Sequence, residues 1–524
     1  MACCPLAAGW PARCGCSASE RALSEVLLPG RAYAPSEALV LGLVDELVTD
    51  PADLLPAAHR WILEHPDAVQ PWDRPGFRIP GGEPADRRVA GTLPGLPARL
   101  RQQARGPLLP GVRNLVAAAV EGAQVDLDTA LLVEARYCVE LICGPVSTNL
   151  IRSRFGDRRA VERSTARPTG APSHPASVAV IVGGGTPGAE LAQVLASARV
   201  VLKDVTPEAA EQGRNAGARL FDADVAEHVS AYLAPVAVVA STTSTEDLSA
   251  AVEVIRLHFA SPASTMALVE IAVGDKTSKA MFARALDIVR QIGKTPILIN
   301  EGRGPFTGRV MARFLDEAVA MVGEGIPAAS VEQAAAQAGC PDGPLALVDQ
   351  LATDRHSSPQ PTSVVMDRMV DELGRCGRAG GAGFYDYEDG RRVRLWPGLA
   401  DAFGPPRTDV SLVDLQERLL FAEAHEAVRC LDEGLLRSVA DGNIGSLLGV
   451  GFPAWTGGAL QYVNQYAGGP AGFVARAHAL AEQYGERFTP PASLDALAAR
   501  GGGGSSREAH RLRRDVQDCG PQPD

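Results

Sequence analysis

The glycine-rich turn after residue 182 is the feature that most constrains the fold of this chain. A β-branched run, SVAVIV, ends there, GGGTPG follows, and a helix-compatible AELAQVLA precedes a second run, ARVVLKD. Gly183, Gly185 and Gly188 occupy the G-x-G-x-x-G spacing, in which glycine permits a tight turn and lets the backbone approach a pyrophosphate. The helix that follows would present its N-terminal N–H groups to the phosphates. The order of strand, turn, helix and strand therefore predicts a dinucleotide-binding α/β domain.

Asp204 supports the same interpretation, because it closes the second run about 20 residues after the start of the turn. An acidic residue at this place hydrogen-bonds the ribose hydroxyls and favours NAD over its 2′-phosphorylated form. Further strands are predicted at residues 236–240, 266–271 and 296–300, with a helix over 278–292 between the last two. This alternation predicts a parallel sheet covered by helices.

The composition excludes several classes of protein. Of the 524 residues, 46% are hydrophobic, which is enough to bury a core and excludes wholesale disorder. No run approaches the roughly 18 uninterrupted apolar residues of a membrane span, so integral membrane association is not expected. The 62 acidic residues outnumber the 50 basic ones, and the net charge of −12 predicts that the chain does not bind nucleic acid.

The N-terminal cysteines give no sign of a metal centre. Cys3, Cys4, Cys14 and Cys16 lack zinc-ligand spacing and have no histidine near them, so no metal site is expected. The N-terminus also lacks the charged and apolar regions of a secretory signal. A cytoplasmic location is therefore predicted.

After about residue 302 the strand signals stop and amphipathic helices are predicted. The segment EAVAMVGEGI at 317–326 matches EAVRCLDEGL at 426–435, an offset of 109 residues that keeps Glu, Ala, Val, Glu and Gly in register. GCPDGPLALV at 339–348 and GFPAWTGGALQYV at 451–463 form a second correspondence. Two spaced matches predict a duplicated all-helical unit.

His258 and Glu270 are the candidate catalytic residues. Glu270 lies in the apolar strand sequence ALVEI, where a buried carboxylate needs a partner, and the imidazole of His258, expected to follow a helical stretch, can supply one. A carboxylate so placed fixes the ring tautomer and stabilises the imidazolium that forms when histidine acts as a general base. A purely structural pair is the alternative, and the local sequence leaves both open.

Taken together, these motifs resemble the 3-hydroxyacyl-CoA dehydrogenases. VIVGGGTPGAELAQ, VVLKDV, ASTTST, HFASPASTMALVEI and IGKTPILIN occur in that family's order, and GPFTGRVMARFLDEAVAMVGEG and GGAGFYDYEDG resemble its C-terminal helical domain. VGFPAWTGGALQYVNQYAGG resembles the second copy of that domain in multifunctional fatty-acid oxidation proteins. Upstream, GRAYAPSEALVLGLVDELV is similar to the end of an enoyl-CoA hydratase domain, and residues 117–144 are similar to the helical connector. The resemblance covers about residues 28–500.

The resemblance implies NAD-dependent oxidation of a 3-hydroxyacyl-CoA to a 3-oxoacyl-CoA in fatty-acid β-oxidation. The glycine turn and Asp204 would bind NAD, and His258 would take the proton from the 3-hydroxyl as hydride leaves C3 for the nicotinamide. Glu270 would orient His258 and compensate its charge, and Ser241 would hydrogen-bond the substrate oxygen. Besides the acyl-CoA substrate, a thiolase subunit or a second copy of the chain is a candidate partner.

The chain departs from the family pattern at three side chains and in one length. Thr242 and Ser261 stand where the family has Asn, and Gly308 stands where it often has Asn. Only residues 205–240 intervene between the second strand and the STTST stretch, too few for the strand and loop that normally close over the cofactor. The NAD-binding domain is therefore expected to be shortened. A catalytically impaired scaffold, a partner subunit or a truncated inactive product is the alternative function.

The predicted fold class is α/β, with a shortened Rossmann-type NAD-binding domain and duplicated all-α C-terminal dehydrogenase domains. A helical remnant of a crotonase-like domain precedes them, and it lacks the oxyanion-hole segments that hydratase activity needs. The predicted domains are an irregular N-terminus (1–27), the remnant and connector (28–165), the NAD-binding domain (170–301), two helical copies (302–405 and 410–500) and a flexible tail (501–524). Outside the candidate site, His425 is predicted to lie on a helix surface, and Tyr385, Tyr387 and Trp455 are predicted to serve packing.

Overall fold

The computed structural model divides the chain into two compact units, residues 1–148 and 149–524. It describes residues 22–28, 31–69, 73–79, 82–96, 98, 100, 109–171, 178–182, 199–203, 219–220, 236–240, 253–259, 266–302, 304–351, 364–407 and 409–501. No helix within these ranges combines the length and the hydropathy needed to cross a bilayer.

The first unit is helical in the part that the structure describes. Its helices are α1 Pro35–Val40, α2 Leu54–Glu64, α3 Arg87–Thr92, α4 Pro110–Gly122 and α5 Leu127–Cys143. Helix α5 begins after Asp126, whose carboxylate accepts a hydrogen bond from the backbone N–H of Thr129 at 3.0 Å. This N-cap satisfies a donor that the helix itself leaves unpaired. Helices α4 and α5 pack together.

The described residues of the second unit form two sheets before the helical region begins, and a two-stranded sheet within it. Two helices come first, α6 Pro145–Ile151, which spans the unit boundary, and α7 Arg158–Ser164. The strands that follow are β1 Val178–Val182, β2 Arg199–Lys203, β3 Arg219–Leu220, β4 Val236–Ala240, β5 Glu253–Phe259, β6 Leu268–Val273 and β7 Thr295–Asn300. Strands β1, β2 and β3 pair in parallel in that order. In the second sheet, β4–β5–β6–β7, strands β5 and β6 are antiparallel and the other neighbours are parallel. Helix α8 Lys279–Gln291 connects β6 to β7 and packs on this sheet.

The predicted strands at 236–240, 266–271 and 296–300 are confirmed to within two residues, but the helix expected before His258 is wrong. That segment is strand β5, and its antiparallel pairing with β6 makes the sheet mixed. The physical reason is that burial alternates from one residue to the next along this segment. Ile255 and Leu257 are buried and Arg256 is exposed between them, the alternation of a half-buried strand.

The helical region begins at residue 306 and contains the largest core of the described residues. Its elements are α9 Phe306–Gly323, α10 Ala328–Ala338, α11 Pro344–Leu351, α12 Val364–Asp367, β8 Tyr385–Glu388, β9 Arg391–Leu395, α13 Leu399–Phe403, α14 Leu412–Asp432, α15 Val439–Gly445, α16 Ala459–Gln465, α17 Gly469–Tyr484 and α18 Ala492–Gly501. Helices α9 and α14 pack against each other. Each stops just before a left-handed glycine, Gly325 with φ 84° or Gly434 with φ 73°, and these glycines stand at the same place in the sequence match.

The segment after α14 closes one edge of the second sheet. The backbone N–H of Asn300, at the end of β7, donates to the carbonyl of Leu435 at 2.9 Å, and its side-chain amide donates to the carbonyl of Gly434 at 2.7 Å. Asp441, in α15, accepts a hydrogen bond from the backbone N–H of Leu298 at 3.3 Å. These contacts satisfy edge groups of β7 that would otherwise be unpaired.

The aromatic residues predicted to serve packing do so. Tyr385 is buried, and its backbone N–H donates to the carboxylate of buried Asp349 at 2.9 Å, while the hydroxyl of Tyr387 donates to the same carboxylate at 3.1 Å. The indole N–H of Trp455 donates to the carbonyl of Ala338 at 2.7 Å. These three side chains hold loops and helices of the helical region together.

The prediction that His425 lies on the surface is wrong. Its ring is 1% exposed and lies edge-on to Phe421 and Phe473, with centroids 5.9 and 5.6 Å away. Neither ring nitrogen has a hydrogen-bonding partner among the residues that the structure describes. Burial lowers the pKa of His425 to about 3, with a smaller contribution from Arg429. The sequence misled because helix α14 is packed on several sides, so its acidic residues beside His425 are buried as well.

We expect His425→Leu to remove part of the acid sensitivity of folding. The pKa of His425 is lower in the folded than in the unfolded chain, so its contribution to stability is present above about pH 6.5 and is lost as the pH falls toward 3. Between pH 7 and pH 5 the wild type should lose about 2 kcal/mol more unfolding free energy than the variant. Urea unfolding at both pH values measures this. His59→Leu, at an exposed position of the first unit, serves as the control, and equal acid sensitivity of wild type and His425→Leu would contradict the prediction.

Candidate active site

His258 and Glu270 lie opposite each other on neighbouring strands. They are register partners in the antiparallel pair β5–β6, so their side chains project from the same face of the sheet. The sequence predicted that these two residues belong together, and the strand pairing brings them together. The pairing arises from the alternation in β5 and the apolar run of β6, which fix the register.

Glu270 is held by the N-terminus of helix α9. The carboxylate is 1% exposed, and its Oε2 accepts from the backbone N–H of Phe306 at 2.8 Å. Its Oε1 accepts from the backbone N–H of Thr307 at 2.8 Å and from the Thr307 hydroxyl. The first position before this helix is Pro305, whose side chain cannot cap, so the strand residue serves as the cap.

The capping contact uses both oxygens of Glu270, and no hydrogen bond joins Glu270 to His258 among the residues that the structure describes. Burial raises the pKa of Glu270, and the hydrogen bonds from Thr307 and Phe306 oppose that rise in part. The sequence analysis missed Thr307 and this end of α9. A proline directly before an apolar helix, with no capping side chain, is the signal that indicates a cap from elsewhere in the chain.

His258 is half-buried on β5. Burial lowers its pKa to about 4, and the positive charge of Arg256 contributes to the same shift. The ring is therefore neutral at physiological pH, and a neutral imidazole is the form that accepts a proton in general-base catalysis.

Arg309, one turn into helix α9, binds two carboxylates of helix α14 and its C-terminal end. Its Nε donates to Glu426 at 2.7 Å, and Nη1 donates to Glu433 at 2.5 Å. The guanidinium is 19% exposed and the Glu426 side chain 4% exposed, so this pair is partly shielded from water. The contact fixes the first turn of α9, the same turn whose N–H groups donate to Glu270.

Arg418, on helix α14, makes the corresponding contacts in the opposite direction. Its Nε donates to Glu317 at 2.7 Å, its Nη1 lies 2.8 Å from Glu324, and its side chain is fully buried. The Nη atoms approach these carboxylates at angles too bent for good hydrogen bonds, so Nε makes the well-formed bond. Arg418 stands 109 positions after Arg309, and Glu426 and Glu433 stand 109 positions after Glu317 and Glu324. We call these two groups, each an Arg with the two Glu that it binds, the reciprocal ion pairs.

The residues predicted to bind NAD and the substrate oxygen lie outside the described residues, namely Gly183, Gly185, Gly188, Asp204 and Ser241. The flanking strands are described. Strand β1 ends at Val182, immediately before the glycine turn in the sequence, and β2 ends at Lys203, immediately before Asp204. Val182 and Lys203 are register partners in a parallel pair. Two adjacent parallel strand ends of this kind are where dinucleotides bind in α/β sheets.

Comparison with known proteins gives two family matches. Residues 221–302 match the 3-hydroxyacyl-CoA dehydrogenase, NAD binding domain, and residues 304–387 match the 3-hydroxyacyl-CoA dehydrogenase, C-terminal domain. The boundary between the matches falls just before helix α9, so His258 and Glu270 lie in the first match and Thr307 in the second. The glycine turn and Asp204 precede the matched residues.

The comparison also finds whole proteins and solved structures that are similar to this chain. The chain is 26% identical over 550 residues to the fatty acid oxidation complex subunit alpha of Shewanella amazonensis (strain ATCC BAA-1098 / SB2B), covering 91% of this chain and 76% of that protein. A crystal structure of 3-hydroxybutyryl-CoA dehydrogenase from Escherichia coli K12 aligns with a TM-score of 0.45 and 20% identity, over 62% of this chain and 99% of that one. The dehydrogenase part of multifunctional enzyme 1 from C. elegans aligns with a TM-score of 0.45 and 17% identity, over 66% and 98%. The predicted resemblance is therefore confirmed: residues 221–302 and 304–387 are similar to the NAD-binding and C-terminal domains of the 3-hydroxyacyl-CoA dehydrogenases, and the chain resembles the alpha subunit of the fatty acid oxidation complex.

Proposed function

We propose that the chain oxidises a 3-hydroxyacyl-CoA to the 3-oxoacyl-CoA, with NAD as the hydride acceptor, in fatty-acid β-oxidation. The observation that carries the proposal is the position of Glu270. It is the register partner of His258 in the NAD-binding domain and is held by the first turn of the C-terminal domain, at the boundary of the two family matches. A buried acid beside a neutral histidine at a domain boundary is a typical arrangement for proton transfer.

His258 is the proposed general base. Its imidazole is neutral at physiological pH, because burial lowers its pKa to about 4, so its unprotonated nitrogen is available for the proton of the 3-hydroxyl. Ser241 is proposed to donate a hydrogen bond to the same substrate oxygen and thereby to orient it toward His258. NAD, when bound, would supply the acceptor for the hydride that leaves C3.

Glu270 is proposed to orient His258 and to stabilise the imidazolium that forms. Each carboxylate oxygen has two lone pairs, and Oε2 accepts one backbone hydrogen bond, so one acceptor site on Oε2 remains for the imidazole N–H. The helix N-terminus holds the carboxylate in place while the charge on His258 changes. A fixed acceptor of this kind lowers the cost of forming the cation.

NAD is proposed to bind at the ends of β1 and β2. Gly183, Gly185 and Gly188 would let the backbone approach the pyrophosphate, and Asp204 would accept hydrogen bonds from the ribose hydroxyls. The parallel pairing of β1 with β2 supports this site, because it sets the residues that follow the two strands at one edge of the sheet.

The helical region is proposed to be a duplication, with copies at 302–405 and 410–500. The reciprocal ion pairs support it, because an Arg from each copy binds two Glu of the other at equivalent positions. The left-handed glycines after α9 and α14 support it as well. The remaining proposed domains are an N-terminal stretch at 1–27, a crotonase-like remnant and connector at 28–165, an NAD-binding domain at 170–301 and a tail at 501–524.

The proposed partners follow from the chemistry and the relatives. The substrate is an acyl-CoA, and a thiolase subunit or a second copy of the chain is the proposed protein partner. A cytoplasmic location is proposed on the composition of the chain. No hydratase activity is proposed for residues 28–165, which resemble the end of an enoyl-CoA hydratase domain and the helical connector.

We expect the purified chain to form NADH from (S)-3-hydroxybutyryl-CoA and NAD, and to prefer NAD over its 2′-phosphorylated form because Asp204 would repel the phosphate. The rate of absorbance increase at the NADH band measures turnover with each cofactor, and hydration of crotonyl-CoA in the same preparation should stay at the background rate. A chain that binds NAD but forms no NADH from substrates of several lengths would favour the scaffold alternative.

A further inference from the structure

The second helical copy comes close to the candidate site at Gly449. This residue lies in the helical turn that continues α15, over 446–450, and it has no positive φ, so its backbone does not require glycine. A methyl group placed there would lie 2.5 Å from Cγ2 of Thr307 and 2.5 Å from Cδ2 of Leu268. Both distances are far below a van der Waals contact, so the missing side chain is what allows the approach.

One neighbour of Gly449 contacts Glu270, and the other stands on the same strand as Glu270. Thr307 donates its backbone N–H and its hydroxyl to the carboxylate. Leu268 stands two positions before Glu270 on β6, where its side chain projects from the same face of the strand. A group pushed in at position 449 would therefore press on the contact between Thr307 and Glu270 from behind.

We propose that Gly449 is a positioning residue for the reaction: the absence of a side chain there lets the second helical copy hold Thr307 against Glu270, which sets the carboxylate opposite His258. The inference rests on the proposed function of His258 and Glu270. It assigns the second copy, which contributes none of the proposed catalytic groups, a part in building the site.

The test compares Gly449→Ala, Thr307→Ser and the double variant with the wild type. Gly449→Ala is expected to lower kcat by about 10- to 100-fold, since misplacement of a supporting group by about 1 Å costs this much. The KM for NAD should stay within about threefold, because the proposed cofactor site lies on other strands. Thr307→Ser removes one of the two clashing methyl groups and keeps the hydroxyl that donates to Glu270; the other belongs to the end of the Leu268 side chain, which can change its rotamer. In the double variant it should restore kcat to within about fivefold of Thr307→Ser alone.

Gly442→Ala is the matched control. A methyl group at position 442, in the same helical segment, would lie 2.7 Å from Leu460 and 3.0 Å from Leu436, both within the second copy and away from Glu270. This variant should lower Tm by a few degrees, as crowding in a core does, and leave kcat unchanged. Gly449→Ala should differ from it by losing kcat.

The outcomes separate the inference from the proposed function. A wild type that forms no NADH refutes the proposed function. A wild type that turns over while Gly449→Ala keeps its kcat, or loses kcat without rescue by Thr307→Ser, overturns the positioning role alone. If neither Gly449→Ala nor the double variant folds, as judged by circular dichroism, Gly449 serves stability only and the inference is also overturned.

Discussion

His258→Ala is expected to form NADH about 10²- to 10⁴-fold more slowly than the wild type, because the variant has no base to take the proton of the 3-hydroxyl. NAD affinity should stay within about twofold, since the proposed cofactor site lies at the ends of β1 and β2. NADH formation and NAD titration by fluorescence measure the two quantities. In the wild type, kcat/KM should hold down to about pH 5 and fall below it, because the pKa of His258 is lowered to about 4 and the base acts only when unprotonated. Wild-type turnover in His258→Ala would mean that the assigned chemistry is wrong.

Glu270→Gln should also slow turnover, because the neutral amide cannot compensate the imidazolium. The loss of the helix cap lowers stability at the same time, so a control for capping is needed. Glu332 provides it: its Oε1 accepts from the backbone N–H of Leu345 at 2.9 Å and of Ala346 at 3.3 Å, at the start of helix α11. Glu332→Gln should lose a similar amount of stability and keep full turnover. Equal loss of turnover in both variants would indicate that Glu270 acts only as a cap.

Arg418→Leu is expected to lower the free energy of unfolding by about 2–3 kcal/mol, because buried Glu317 loses its hydrogen bond from Arg418 and keeps the ion pair with Arg487 at 2.6 Å. Arg418 is fully buried, and the Glu317 side chain that it binds is 3% exposed. The substitution also removes the stacking of the guanidinium on Tyr484, whose ring centroid is 4.3 Å away. Urea unfolding followed by circular dichroism measures the difference.

Arg309→Leu is the matched control, because Arg309 is the counterpart of Arg418 in the reciprocal ion pairs. Its guanidinium is 19% exposed, and the side chain of its partner Glu433 is 53% exposed, so water can solvate the groups that the substitution leaves behind. Glu426, its buried partner, also keeps Arg429 at 3.4 Å. The loss should be less than half that of Arg418→Leu. Equal losses would show that burial does not decide the strength of these pairs.

The strands and the helix periods were predictable from the sequence because they depend on local residue patterns. Strand β4, at 236–240, follows from a run of β-branched residues, and helices α9 and α14 follow from a matched apolar repeat. Strand β5 was missed because Glu253, Arg256 and His258 interrupt its apolar residues, so it lacks the continuous apolar run that marks β4. His425 was misplaced because the sequence around one helix does not reveal how many neighbours pack against it.

The pairing of His258 with Glu270 was predictable from the sequence, and the hydrogen bonds of Glu270 were not. His258 and Glu270 stand out because each is a polar residue in an apolar setting. The cap that Glu270 provides for Phe306 and Thr307 joins a strand to a helix that begins 36 residues later, and no local pattern encodes it. The close approach of Gly449 to the same helix depends on packing over a still longer separation in the chain.

The closure of β7 by the segment at 434–436 has a consequence for how the chain is made. During synthesis β7 leaves the ribosome long before residue 435 does, so the edge of β7 that later pairs with residues 434–436 is unpaired in the nascent sheet. An open edge offers unpaired N–H and C=O groups to any other strand nearby, including those of neighbouring nascent chains. Pairings between such distant residues also form slowly, because the intervening loop must close first. The dehydrogenase sheet of this chain is therefore completed only late in translation, and its yield in a cell depends on protection of that edge until then.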